Sequence, residues 1–134
     1  MTKYYKLPDS IKSSILKAYF IEYLTYYCNK SDTTNAYYAL SELLELADRQ
    51  WNTYELLDKD IKIQLEKFLK SIIDFEDEEI MDYILCIIPR LGMGSVFNYI
   101  LQNKTSIHNQ AILENIVECE KEYGQTVDNP YAGM

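Results

Sequence analysis

Apolar residues return at helical spacing along almost the whole chain, and that periodicity constrains the fold more than any other feature. Leu57, Ile61, Leu65, Phe68, Leu69 and Ile72 mark one face of a helix. A similar stripe joins Leu16, Phe20, Tyr23, Leu24 and Tyr27, widened by Ile15 and Tyr19, and another joins Ala36, Leu40, Leu43, Leu44, Ala47 and Trp51. No stretch sustains the alternation of a half-buried strand, and no Asn-Gly turn offers a hairpin. The spacing predicts an all-α protein.

Punctuation residues divide the pattern into helices. The first is expected from Asp9 or Ser10 to Cys28, behind Pro8, and ends at the cluster Asn29-Lys30-Ser31-Asp32. The second runs from Thr34 to Gln50, and Thr53 or Asp58 caps the third. A fourth from Asp77 to Leu91 is apolar on most sides, as a central element packed all round would be, with Pro89 bending its last turn and Gly92 stopping it. Ser95 opens a short fifth helix through Leu101, and Thr105 opens a sixth through Tyr123, closed by Gly124. Residues 125–134, with Asn129-Pro130 and Gly133, are expected to form a loose tail. The short connections predict five or six antiparallel helices in a single domain, 1–134, either as a helical bundle or as a short HEAT-like stack of helical hairpins. No repeat in residue identity chooses between the two.

A chain of 134 residues is long enough to bury one core without disulfides or metal. Cys28, Cys86 and Cys119 are odd in number, far apart and set in apolar helical patterns, which predicts reduced core cysteines and a cytoplasmic location. The first ten residues contain no apolar signal core, and no window is apolar enough to span a membrane. The net charge of −8 is unevenly placed: residues 1–30 balance at +3, which leaves −11 for the rest. Such a body repels phosphate backbones and anionic lipid, so neither nucleic acid nor membrane is the expected partner.

The acid is concentrated in two places. Asp74, Glu76, Asp77, Glu78, Glu79 and Asp82 put six carboxylates in nine residues, directly ahead of the apolar run Tyr83–Ile88. A few acids at a helix start interact favourably with the helix dipole, but further like charges repel one another at a comparable cost. Glu114, Glu118 and Glu122 follow at i, i+4, i+8, with only Lys121 nearby. A solvated helix face and a surface for a basic partner both account for these runs. Elsewhere Glu45→Arg49, Glu55→Lys59, Asp58→Lys62 and Glu66→Lys70 have the favourable acid-before-base order. Tyrosine is also in surplus, thirteen against four Phe and one Trp, and the pairs Tyr4-Tyr5, Tyr26-Tyr27 and Tyr37-Tyr38 cannot all point inward.

Catalytic groupings are not found. His108, the only histidine, lies in Ser106-Ile107-His108-Asn109 with no recognisable nucleophile or orienting carboxylate. Thr105 stands where a Glu-x-x-His metal motif needs its glutamate. Gly92-Met93-Gly94-Ser95 follows a helix and has no lysine behind it, unlike a phosphate loop. Asp58-Lys59-Asp60 lacks the glycine and distal glutamate of a calcium loop. The expectation is no enzyme activity, no metal and no cofactor.

In overall type the chain resembles the immunity proteins of bacterial polymorphic-toxin and contact-dependent growth-inhibition systems. The resemblance rests on the acidic run Asp74 to Asp82, the edge Glu114, Glu118 and Glu122, the tyrosine surplus and the missing catalytic groups. It implies a stoichiometric inhibitor that covers the active site of a basic toxin domain, most often a nuclease, with carboxylates where the toxin expects phosphate. A helical scaffold or adaptor whose groove binds a peptide or helix of another protein is the alternative.

Overall fold

The computed structural model describes residues 3–28 and 35–123. The proposed helix stops at Asn29-Lys30-Ser31-Asp32 and Gly124, and the tail 125–134, lie outside the described residues. Among the described residues six α-helices form: α1 (Ser13–Tyr23), α2 (Ala36–Trp51), α3 (Lys59–Ile72), α4 (Glu78–Leu91), α5 (Gly94–Gln102) and α6 (Gln110–Tyr123). No strand occurs among the described residues.

The helix ends follow local chemistry. Asp58 and Asp77 cap α3 and α4, each carboxylate accepting from backbone N–H groups of the first turn. Gly92 ends α4 at φ 68°, a left-handed conformation that costs glycine nothing. Asn35 caps α2. The sixth helix begins later than Thr105 suggests: Lys104–Ser106 forms a 3₁₀ turn, and Asn109 accepts from the Ile112 N–H at 3.1 Å. The first helix also starts later, at Ser13, and its last part widens into a π-turn over Leu24–Cys28. There the Thr25 hydroxyl donates to the Ile21 carbonyl at 3.0 Å, in competition with the helical ladder. Within the wider turn Leu24 and Tyr27 stay buried.

Cross-contacts give the helix directions. Tyr23 at the end of α1 donates to the Ala39 carbonyl near the start of α2 at 2.7 Å, so α1 and α2 form an antiparallel hairpin. Between hairpins the order is different. Tyr37 and Asp77 join the starts of α2 and α4, while Asp48 and Arg90 join their ends, so these helices run parallel. Asn109 bonds Glu78 at 2.9 Å and Asn115 bonds Asp82 at 2.8 Å, which makes α6 parallel to α4. On the opposite side Lys17 meets Asp58 at 3.2 Å and the Tyr23 and Phe68 rings lie 6.1 Å apart, so α1 and α3 are parallel too. Thus α2, α4 and α6 make one layer, and α1, α3 and α5 make the other. The architecture is a short stack of helical hairpins.

The core between the layers contains Leu16, Phe20, Leu40, Leu43, Leu65, Leu69, Ile84, Ile88 and Ile100, all buried. Truncating one such leucine to alanine costs about 2–5 kcal/mol, because the transfer gain is lost and a cavity is left. The residues before α1 cover the first hairpin. Tyr4 is buried and its hydroxyl donates to Glu22 at 2.9 Å, while Arg49 of α2 donates to the Leu7 carbonyl at 2.8 Å.

Candidate protein-binding face

The two layers differ in charge. α2, α4 and α6 carry ten carboxylates against Arg49, Arg90 and Lys121. α1 and α3 carry Lys17, Lys59, Lys62, Lys67 and Lys70 against Glu22, Asp60 and Glu66, and α5 carries no charge. The cations of the acidic layer are also engaged: Arg49 with Glu45 at 2.7 Å, Arg90 with Asp48, and Lys121 with Glu118 at 3.9 Å. Among the described residues Asp74, Glu76, Asp77, Glu78, Glu79, Asp82, Glu114 and Glu122 make no ion pair.

The helices place these carboxylates in distinct ways. Glu78, Glu79 and Asp82 are exposed on the outer strip of α4, and Glu114, Glu118 and Glu122 are exposed along α6. The parallel packing of α4 on α6 sets the two rows on adjacent helices, joined by the Asn109–Glu78 and Asn115–Asp82 bonds. Asp77 is half-buried as the cap of α4. Asp74 and Glu76 belong to the loop before it, where Asp74 accepts from the Glu76 N–H at 3.0 Å and Phe75 stacks on Tyr99 of α5 at 6.1 Å. Those two therefore sit at the end of the strip rather than along it.

Tyrosines adjoin the acid. Within the pairs Tyr4-Tyr5 and Tyr26-Tyr27 the first and last members are buried and the others exposed, whereas Tyr37 and Tyr38 are both exposed at the start of α2. The Tyr37 hydroxyl donates to the Asp77 carboxylate. That bond raises the Tyr37 phenol above its ordinary value, with further contributions from desolvation and the charges of Asp77, Glu79 and Asp74. The same bond, with the Ile80 N–H, holds the Asp77 carboxyl below the usual carboxylate range.

Between α2 and α4 lies an open groove of about 280 Å³, lined by Leu44, Glu79, Asp82, Tyr83 and Cys86. Cys86 departs from the expectation of three core cysteines. It is exposed because it shares the outer strip of α4 with Glu79 and Asp82, at helical spacings of seven and four residues, whereas Cys28 and Cys119 are half-buried. α4 is accordingly central, contacting α2, α5 and α6, yet bare along one strip.

Asn109, Asn115, Leu44 and Tyr83 carry no charge pattern or motif that marks them in the sequence. Their roles come from the parallel pairing of helices far apart in the chain. His108 is exposed, between the 3₁₀ turn and α6. Among the described residues no group of three or more His, Cys, Asp or Glu side chains is placed to hold a metal ion. No helix among them is long and apolar enough to cross a membrane. No protein-family model, curated protein or solved structure matches this chain.

Proposed function

We propose that this protein is a stoichiometric inhibitor of the immunity type, which binds a basic toxin domain and covers its active site with the acidic layer. The observation that carries this reading is the joining of two acidic rows on the parallel helices α4 and α6, with exposed tyrosines at one end. Uncompensated carboxylates steer a cationic partner and speed encounter, while aromatic and apolar anchors slow its release. A nuclease suits the face best, because its own site is built to receive phosphate charge. On this reading the protein catalyses no reaction itself, takes no cofactor and acts in the cytoplasm of a bacterial cell.

The stacked-hairpin architecture also favours an adaptor that binds a peptide or helix of another protein, with acidity serving solubility. The readings separate on one experiment. The products of the genes flanking this one are assayed for nuclease activity while this protein is titrated into each. Complete loss of activity at one equivalent supports the inhibitor. Binding with the activity intact assigns the adaptor.

A further inference from the structure

The acidic layer is not uniformly polar, and the α2–α4 groove within it has a defined chemistry. Leu44 and Tyr83 are half-buried and form the floor of the α2–α4 groove, while Glu79 and Asp82 are exposed on its α4 side. Neither carboxylate makes an ion pair among the described residues. Outside the groove, Tyr37 with Asp77 joins the starts of α2 and α4, and Asp48 with Arg90 joins their ends.

We infer that this groove seats one large apolar side chain of an amphipathic basic helix, whose flanking lysines or arginines engage Glu79 and Asp82. The inference rests on the basic-partner reading above and specifies which part of the partner touches which part of this face. Charge complementarity selects the occupant: an acidic or neutral segment gains nothing from the two carboxylates, whereas a cation beside the anchor compensates both. The form of the groove selects a helix, since a furrow between two packed helices accepts the side-chain ridge of a third. Its volume of about 280 Å³ is open and at the small end for a drug-sized ligand, but suits a single anchor.

Exposed Cys86 lines the groove and reports on its occupancy. The test measures alkylation of Cys86 by iodoacetamide in the full-length protein with two synthetic helical peptides. One carries lysine on one face and leucine on the other, and its counterpart has alanine at each leucine. Anisotropy gives their affinities. The leucine peptide is expected to protect Cys86 saturably and to bind about tenfold or more tighter than the alanine peptide, the worth of one seated anchor. Leu44→Glu is the informative variant because it adds a carboxylate while removing the floor. If the groove seats an anchor, this change weakens binding of the leucine peptide; if only charge matters, binding holds or tightens.

Equal affinity of both peptides, with Leu44→Glu no weaker, overturns the groove while leaving the basic-partner reading standing. Failure of both peptides to bind at low salt overturns the two together. Cys86 reacting as slowly as half-buried Cys119 without any peptide overturns the inference as well, because the groove is then already covered by this chain or a second copy. Circular dichroism of Leu44→Glu confirms folding, and the two-peptide comparison on the unaltered protein decides the matter if that variant unfolds.

Discussion

Asn115 of α6 donates to Asp82 of α4 at 2.8 Å, and through this bond two acidic segments 33 residues apart become neighbours. An amide is suited to that position because a second carboxylate would repel Asp82, while an apolar residue would leave the bond unmade.

Asn115→Asp is predicted to lower thermal stability by a few degrees, since an exposed hydrogen bond is worth about 0.5–1.5 kcal/mol and a like-charge pair is added. The loss should shrink in high salt, which screens the repulsion, whereas the smaller loss in Asn115→Ala should stay constant. Melting curves of both variants at two ionic strengths measure the contrast. Equal losses with no salt dependence would mean that the α4 and α6 rows are not adjacent.

The Tyr37–Asp77 bond gives a pH window. Asp77 titrates below its ordinary value when folded, so its contribution is present above about pH 4 and is lost as pH falls through the depressed folded value. Tyr37 titrates above its ordinary value, so its contribution is present below about pH 10 and is lost as pH rises through the raised folded value. The stability difference between wild type and Tyr37→Phe should be flat between those limits and diminish outside them. Denaturant titrations across pH check this, and a difference independent of pH would remove the bond from the account.

Helix existence was legible in the sequence because each helix buries a stripe set by its own residues. Of the two caps expected for α3, Asp58 rather than Thr53 begins it, and Asp77 and Gly92 bound α4 as expected, since capping and left-handed backbone are local chemistry. The start of α6 was not legible. Thr105 and Asn109 are both good caps, and the intervening 3₁₀ turn, with Lys104 paired to Glu120 at 2.8 Å, leaves the role to Asn109. Expected ion pairs also changed partner: Glu45 and Arg49 pair along the helix, but Asp58 pairs with Lys17 of α1. The candidate acidic residues were visible as charge runs. Their union depended on which helices lie parallel, a long-range property that no short spacing encodes.

Cysteine chemistry should follow burial. Desolvation pushes the Cys28 thiol up to about 12 and the Cys119 thiol up to about 11, so both hold little thiolate at pH 8, while Cys86 is exposed. One equivalent of iodoacetamide is predicted to modify Cys86 at least about a hundredfold faster than the other two. Peptide mapping by mass spectrometry identifies the site. Comparable labelling of Cys28 would contradict its half-buried placement at the end of the π-turn.

Arg49 fastens the chain before α1 to α2. Arg49→Met preserves the apolar stem but removes the donors to Leu7 and Glu45, leaving the Leu7 carbonyl short of a partner at a cost of about 1–3 kcal/mol. Trypsin cleavage at Lys6 should accelerate, because proteolysis tracks local opening. An unchanged cleavage rate would show that other contacts hold this segment.

The joined acidic rows of α4 and α6 are predicted to recruit a basic partner. Stopped flow across ionic strength gives the association rate of the labelled lysine–leucine helical peptide with wild type and with a variant carrying Gln at 78, 79, 114, 118 and 122 and Asn at 82. The amides preserve the geometry and relieve repulsion, so the variant should fold. Wild type should associate faster by about tenfold or more at low salt, and the difference should close as the screening length falls below about 8 Å. Equal association rates at low salt, with both proteins folded, would contradict the claim and return the two rows to solvated helix faces.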